Sequence, residues 1–339
     1  MADNLFWHLY LLEYRLKTPL HIGHKKVLNL LLTREYIPAK PFRGALVAKF
    51  ARDLGSRNYD AIGNFFKKAM RFGYFYILDK GKNVSLLAPK FTDEGLKFGM
   101  LVNDVKTSSS GENSCSNKKE YYYNEFAKKY ITSQAFAAID PNSLGTEEGM
   151  LHEVEFISPY TLEEKSKPVL FRGLIWVSNF SDGNFCIEDI NENDFTIRDK
   201  HKNTSVNFSQ VAGSLQIGGE RKYGFGLFEL YKSIKEVKSN DLSSLGFSGF
   251  WEERDCEVYV NLKENSHIWS HAKCGFESSN LKIKGEIEPF IGRDWSPKGA
   301  GRKLNDSGFC WVPGSVLEMG TSFKISNESP VGSALMGHK

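Results

Sequence analysis

The sequence lacks the features that several classes of protein need. Its five cysteines have no short pair spacing, so they form neither a disulfide framework nor a zinc motif. No run approaches the ~18 apolar residues of a membrane helix, and the first residues lack a secretory signal pattern. We therefore expect a soluble cytoplasmic protein that makes no membrane contact and uses no metal or cofactor.

Charge of one sign is not in large excess either. The chain has 44 Lys and Arg against 41 Asp and Glu, a net charge of +3, so any surface that attracts a polyanion must be local. Its 339 residues suffice for two modest domains or one elaborate domain. Aromatic residues are abundant at 13%, and most of them are expected in the core.

The most informative stretch is a glycine-rich segment over residues 215–230, LQIGGERKYGFGLFEL. Its glycines flank a basic-aromatic centre: Gly218, Gly219, Gly224 and Gly226 surround Glu220, Arg221, Lys222 and Tyr223. Glycine permits positive φ and close approach of a ligand, so we expect outward-pointing amides to form an anion-binding concavity. The alternation after Gly226 predicts a strand, which excludes the strand-to-helix turn of dinucleotide sites and P-loops. An RNA backbone suits this loop, and a solvated glycine-rich hairpin is the alternative.

The first fifty residues predict a strand, a loop and a helix. Residues 5–20 predict a long strand that ends at Thr18–Pro19. Residues 21–26, HIGHKK, predict a solvated turn, a phosphate-contacting loop or a site of histidine acid–base chemistry. A helix is expected over residues 42–54, after Pro41 and before Gly55. A cation such as Arg43 is unfavourable in a first helical turn, so it predicts a phosphate partner there.

The remaining pattern predicts mostly strands. Further expected elements are a helix over 59–70, strands over 72–78 and 170–177, helical residues near 205–211, and strand-like pieces over 256–262, 281–290 and 309–319. Residues 104–119 are polar and serine-rich, which indicates a surface loop. Residues 131–149 predict a protruding hairpin or an ordinary loop. A looser composition after Ser239 predicts two domains, 1–238 and 239–339.

A second basic-aromatic stretch lies in the C-terminal part. Within residues 291–308, Arg293, Trp295 and Arg302 alternate with glycines. Cations around an exposed aromatic ring favour single-stranded nucleic acid, where a base stacks on the ring. A long solvated hairpin is the alternative.

Three segments together resemble one family, the RAMP superfamily of CRISPR–Cas effector proteins. They are Pro19–Gly23 with Tyr36–Leu46 (YIPAKPFRGAL), Gly218–Gly226 (GGERKYGFG), and Ala138–Asp140 with Gly149–Val154 and Phe171–Gly173. The resemblance covers residues 5 to 232, and Trp311–Val316 resembles part of a second domain. Where the family has Ile-Pro-Gly-Ser before the helix, this chain has Ile37-Pro38-Ala39-Lys40.

The resemblance implies an α+β, ferredoxin-like (RRM-like) fold, with two domains and a glycine-rich loop. Its layout is most similar to the type III-D subunit that caps the 5′ end of crRNA. Implied partners are the crRNA, the large polymerase-like subunit and the backbone RAMP subunits, with target RNA nearby. The implied RNA contacts are His21, His24, Lys25, Lys26, Lys40, Arg43, Gly218, Gly219, Arg221, Lys222, Tyr223 and Gly224, with Arg293, Trp295 and Arg302 extending the path or meeting a neighbour.

Other functions stay open beside a non-catalytic RNA-binding subunit. A metal-independent crRNA-processing endoribonuclease needs a general base and acid, which His21 and His24 could supply beside Lys25 and Tyr36. A backbone-type RAMP that cuts target RNA carries an aspartate in the first loop, but residues 24–36 contain no aspartate. An interaction module built on exposed aromatic residues explains neither the motif spacing nor the charged glycine loops.

Overall fold

The computed structural model describes residues 5–55, 58–80, 84–101, 120–140, 142–143, 145–147, 149–164, 167–274, 281–296, 299–326 and 334–337. Up to residue 238 its elements are β1 (Trp7–Leu16), β2 (Gly23–Val27), β3 (Leu30–Thr33), α1 (Ala39–Asp53), α2 (Tyr59–Ala69), β4 (Met70–Phe72), β5 (Tyr76–Lys80), β6 (Val84–Thr92), β7 (Gly95–Gly99), β8 (Tyr121–Tyr122), α3 (Tyr123–Tyr130), β9 (Ile131–Phe136), β10 (His152–Ile157), β11 (Leu170–Ser178), β12 (Phe185–Glu188), β13 (Thr196–Asp199), β14 (Thr204–Asn207), α4 (Phe208–Ala212), β15 (Ser214–Gln216), β16 (Leu227–Leu230) and β17 (Lys235–Glu236). After residue 238 the elements are β18 (Phe250–Arg254), β19 (Glu257–Leu262), β20 (Ala272–Lys273), β21 (Ile283–Lys284), β22 (Ile287–Ser296), β23 (Gly299–Trp311), β24 (Val316–Leu317), β25 (Thr321–Ser326) and β26 (Ala334–Gly337).

The largest sheet carries the expected fold. Its order is β15-β16-β1-β11-β5-β6-β7-β8, with β17 also on β1 and β4 also on β11. In its centre, β1 is antiparallel to both β16 and β11, and β11 is antiparallel to β5. Helix α1 follows β1, and α4 precedes β15 and β16. This is the ferredoxin-like βαββαβ arrangement, which confirms the predicted α+β fold.

The first strand forms where the sequence predicts it. β1 is buried along most of its length, and its register places Tyr14 opposite Phe171 of β11. The chain leaves the sheet at Thr18, whose Oγ1 accepts a hydrogen bond from the amide of Leu227 at 2.9 Å. The end of β1 is thereby tied to the strand that follows the glycine-rich loop.

A four-stranded sheet, β2-β3-β10-β9, lies beside this exit. The sequence predicts a loop over residues 21–26, but Gly23–Val27 is instead strand β2, paired with β3. Within residues 131–149, β9 extends to Phe136, and an isolated bridge joins Ile139 to Thr146. β9 pairs antiparallel with β10, so this stretch forms a β-hairpin whose connection contains that bridge.

Two predicted strands are interrupted. The expected strand over 72–78 splits into β4 and β5, because Phe75 leaves the sheet to pair with Ile37 just before α1. The expected strand over 281–290 splits into β21 and β22, and the piece over 309–319 comprises the end of β23 and the short β24. The helical residues near 205–211 reduce to α4, which β14 precedes.

The helices after β1 differ from the prediction by a few residues. α2 forms over Tyr59–Ala69 as expected, while α1 begins at Ala39, with Pro38 as its N-cap, and not at residue 42. Gly55, at φ +58°, follows the C-cap Leu54 and ends α1 as expected. The predicted surface loop over 104–119 lies outside the described residues.

A second large sheet is built from the C-terminal strands. Its order is β18-β19-β25-β26-β20-β23-β22. The two parts of the chain share a core, because Trp176 of β11 stacks on Trp269 at a centroid distance of 6.3 Å and the hydroxyl of Tyr76 donates to the Trp269 carbonyl at 2.6 Å. The domain boundary at residue 239 stays a prediction.

Candidate nucleic-acid interface

The glycine-rich loop is fixed against the segment that leaves β1. The amide of Gly219 donates to the His21 carbonyl at 2.8 Å, and the amide of Gly226 donates to the Pro19 carbonyl at 2.7 Å. Gly218 has a φ of +92°, and a Cβ there would lie 2.4 Å from the His21 oxygen. Gly226 has a φ of +78°, and a Cβ added there would lie 1.8 Å from the carbonyl oxygen of Ile217. Only glycine fits these two positions, and the loop therefore has one fixed path.

The expected anion-binding concavity of outward amides is wrong for much of the loop. The amides of Gly219, Tyr223, Gly224, Phe225 and Gly226 all donate to carbonyl groups of the protein. They are not available to a ligand. Attraction for a polyanion must therefore come mainly from the side chains of the loop.

The tip of the loop presents those side chains to solvent. Arg221, Lys222 and Tyr223 form a single 3₁₀ turn, and all three are exposed. The Gln216 side-chain amide donates to the carbonyls of Arg221 and Phe225, both at 3.0 Å, and braces the turn from below. Two cations and one aromatic ring thus project from a rigid backbone.

A cleft of about 180 Å³ separates the loop from helix α1. Its lining residues are Ala45, Ala48, Arg52, Tyr59, Gln216 and Arg221. Two of these residues are small alanines, while Arg52 of α1 and Arg221 of the loop contribute positive charge. The sequence reasoning missed Arg52 and Tyr59. The spacing of Ala45, Ala48 and Arg52, which puts them on one helix face, was the signal that could have revealed Arg52.

Arg43 does not lie in the first turn of helix α1, where the sequence predicts it. Because α1 begins at Ala39, Lys40 lies in the first turn and Arg43 lies in the second. Arg43 is only 7% exposed, and its contact with a phosphate stays a prediction. Both Lys40 and Arg43 also interact within the protein.

His21 has a structural environment. The side chain is buried, and its Nδ1 lies 2.7 Å from the Glu155 carbonyl oxygen of β10. Its ring packs directly under the loop, since a Cβ on Gly219 would lie 3.0 Å from His21 Cδ2. His21 therefore supports the loop from beneath with a buried side chain, and its contact with RNA stays a prediction.

His24 contacts a carboxylate of the second sheet. Its Nε2 lies 3.3 Å from Glu288 Oε2, while Glu288 Oε1 lies 2.8 Å from Arg34 Nη2 and 2.6 Å from His271 Nε2. The hydroxyl of Tyr74 lies 2.7 Å from the other ring nitrogen of His271. These side chains form what we term the Glu288 cluster: His24, Arg34, Tyr74, His271 and Glu288.

The Glu288 cluster shifts the ionisation of its members. Burial alone would raise the pKa of Glu288, but the nearby His24 ring, the hydrogen bond with His271 and the charge of Arg34 bring that pKa below its ordinary value. Burial lowers the pKa of His271 from 6.5 to about 4. A neutral His271 then donates its Nε2–H to Glu288 and accepts from Tyr74, so the cluster joins β2 and β3 to the second sheet.

The remaining expected contacts lie on two hairpins. Lys25 and Lys26 are exposed on β2, at the edge of the four-stranded sheet. Arg293 and Arg302 are exposed on the β22–β23 hairpin, and the Trp295 side chain lies outside the described part of the chain. Neither arginine lines the cleft beside the glycine-rich loop.

Among the described residues, no group of three or more His, Cys, Asp or Glu side chains could hold a metal ion. None of the helices in the described ranges has the length and apolar character needed to cross a membrane.

Chains of CRISPR complexes are among the solved structures to which this chain is similar, at low identity. A chain of the type III-B Cmr-beta complex bound to cognate target RNA and AMPPnP is 12% identical, with a TM-score of 0.48 and coverage of 91% of this chain and 85% of that chain. A chain of the Csm3–Csm4 subcomplex of the type III-A interference complex is also 12% identical, with a TM-score of 0.43 and coverage of 91% and 92%. No curated protein matches the sequence significantly.

The family assignment comes from the sequence match. The model of the RAMP superfamily matches residues 13–229, which is more than half of the chain. That range runs from within β1 to within β16 and includes both the ferredoxin-like unit and the glycine-rich loop. The chain belongs to the RAMP superfamily.

Proposed function

We propose that this protein is a non-catalytic RNA-binding subunit of a type III CRISPR–Cas interference complex that holds the 5′ tag of the crRNA. Its partners would be the crRNA, the large polymerase-like subunit and the adjacent backbone RAMP subunits, with target RNA nearby. The resemblance of its motifs to the type III-D capping subunit supports this choice within the superfamily.

The cleft between α1 and the glycine-rich loop is the observation that carries the proposal. Arg52 and Arg221 line it from opposite sides, and Lys222 is exposed at the adjoining loop tip. Arginine recognises phosphate through a planar fork of donors, while the small lining residues Ala45 and Ala48 leave room for an RNA backbone. Recognition of this kind reads shape and charge and requires no reacting group.

The environments of the two histidines argue against the endoribonuclease alternative. His21 is buried, with its Nδ1 at the Glu155 carbonyl oxygen, and His24 meets Glu288. Tyr36 is buried as well, and burial raises its pKa above the ordinary value. A general base must reach the 2′-hydroxyl of the RNA, and these side chains have other partners.

The proposal predicts a change in salt dependence for the double variant Arg221→Ala with Lys222→Ala. Two lost phosphate contacts should weaken binding of tag-bearing crRNA at least about tenfold and reduce the slope of log K against log salt by about 1.4. Fluorescence anisotropy titrations from low to high salt would measure both quantities.

A matched control removes the same charge elsewhere. Lys282→Ala with Lys284→Ala takes two exposed lysines from the C-terminal part of the chain and should leave affinity and slope nearly unchanged. Equal slopes for the loop variant and the wild type would contradict the proposed site.

A further inference from the structure

The exposed tyrosine of the loop tip is the end of a row of three aromatic rings. Tyr223 is 63% exposed, and its ring centroid lies 5.3 Å from that of Phe136 on β9, with the two planes tilted by 35°. Phe136 in turn lies 5.8 Å from His152 on β10, with their planes 20° apart. Three rings from three elements therefore follow one another, and the outermost ring faces solvent.

This row of rings is anchored in the four-stranded sheet beneath it. Phe136 and His152 are direct cross-strand partners in the β9–β10 register. His152 Nδ1 lies 3.1 Å from the Met150 carbonyl oxygen, which restrains its ring. Phe225, buried under the loop, packs edge-on against Phe136 at 6.2 Å. The orientation of the Tyr223 ring is thus supported by neighbours that belong to the fold.

The backbone of Tyr223 is restrained as well. Its amide donates to the Glu220 carbonyl at 2.9 Å, and Gln216 holds the carbonyls of Arg221 and Phe225 on either side. An exposed aromatic side chain normally loses conformational freedom when a ligand covers it. Here much of that loss has already occurred in the folded protein, which favours binding.

We propose that Tyr223 is a stacking platform for one unpaired RNA base, with Phe136 and His152 as positioning residues behind it. The platform rests on the proposed RNA-binding function and deepens it, because Arg221 and Lys222 would hold the phosphates beside the stacked base. Single-stranded nucleic acid binds to such pairs of aromatic ring and cation, and stacking accepts every base since each has a π face. The platform would therefore fix the path of the strand without selecting its sequence.

The test uses single-stranded tag RNA with 2-aminopurine placed at successive positions, because stacking on an aromatic ring quenches its fluorescence. The wild-type protein should quench one position most strongly. Tyr223→Leu, which keeps an apolar side chain but removes the ring, should abolish that quenching and weaken binding about 5- to 150-fold. Its salt slope should match that of the wild type, since no phosphate contact is lost.

Further variants separate stacking from folding. Tyr223→Phe should retain quenching and affinity, and Phe136→Leu should reduce quenching at the same RNA position. Tyr231→Leu removes an exposed tyrosine that follows β16 outside the loop, and it should bind and quench as the wild type does.

Each outcome bears on the platform. The platform would be overturned if Tyr223→Leu bound RNA as tightly as the wild type, or if Tyr231→Leu removed as much quenching as Tyr223→Leu. Either result would leave the proposed function intact. A wild-type protein that binds neither tag RNA nor other single-stranded RNA would overturn both.

Discussion

At the scale of single residues, Glu288 shows how one carboxylate can link distant parts of the chain. Its largely buried carboxylate contacts His24, Arg34 and His271. Removing a partner from a buried ionic network leaves charge without compensation, so such clusters change stability strongly when altered. The Glu288 cluster connects the β2–β3 hairpin, which carries Lys25 and Lys26, to the second sheet.

The buried histidines predict a loss of stability in mild acid. Burial lowers the pKa of His271 and that of His267 from 6.5 to about 4 in the folded protein. Between pH 6.5 and 4 the unfolded chain therefore binds more protons, and the free energy of unfolding falls as the pH falls. From pH 7 to pH 5 the expected loss is about 2 kcal/mol for each histidine.

Urea unfolding at the two pH values would measure this loss. His271→Gln should lower stability at pH 7 but reduce the difference between pH 7 and pH 5 by about 2 kcal/mol. His201→Gln, at an exposed turn, should leave the difference as it is in the wild type. An undiminished pH difference in His271→Gln would show that His271 is not held neutral.

These residue environments show what the sequence could not reveal about several of the expected contacts. Motif position placed Arg43, His21 and His24 near one another, and the structure does put them close to the exit of β1 and the start of α1. Sequence does not show burial of Arg43, nor that His24 meets Glu288 from the far end of the chain. Long-range partners of this kind depend on the tertiary packing of the two sheets.

At the scale of elements, the glycine-rich loop combines a rigid base with an exposed tip. β15 and β16 flank it, and hydrogen bonds to the His21 and Pro19 carbonyls hold its two ends. Because most of its amides are used internally, its glycines serve the close packing of backbone on backbone. The exposed side chains of Arg221, Lys222 and Tyr223 at the tip are therefore the groups that can contact a ligand.

Gly226→Ala tests that role of glycine. A Cβ at this position would overlap the Ile217 oxygen, and φ of +78° is strained for alanine. We expect the variant to lose at least about 2 kcal/mol of unfolding free energy and to bind RNA more weakly.

The matched control is Gly183→Ala, where a Cβ would meet no atom within 4 Å. Thermal unfolding and RNA titration of both variants would make the comparison. A Gly226→Ala protein as stable and as active as Gly183→Ala would contradict the tight packing of the loop.

Elements with a strong local pattern were predictable. The apolar pattern of β1, of α2 and of β11 predicts strand, helix and strand, and the structure confirms all three. The run over 72–78 has an equally strong pattern, yet Phe75 leaves the sheet to pair with Ile37. That pairing is tertiary, and periodicity carries no information about it.

At the scale of the whole molecule, the ferredoxin-like unit joins the second sheet through shared aromatic packing. Trp176 of β11 contacts both Trp251 and Trp269 of the C-terminal part. The superfamily and the α+β fold were predictable because the motifs that resemble the RAMP superfamily occur in a recognisable order along the chain. Arg52 was not predicted: the sequence places it on the same helix face as Ala45 and Ala48, but the packing of α1 beside the loop is what gives that face a cleft.

The measurement that tests the central claim most directly is a binding and cleavage assay on the purified full chain. Labelled CRISPR repeat RNA and processed crRNA would be incubated with the protein in EDTA and run on a native and a denaturing gel. We predict a shift without cleavage, stronger for RNA that bears the 5′ tag. Cleavage in EDTA, or the absence of a shift with both RNAs, would contradict a non-catalytic tag-binding subunit.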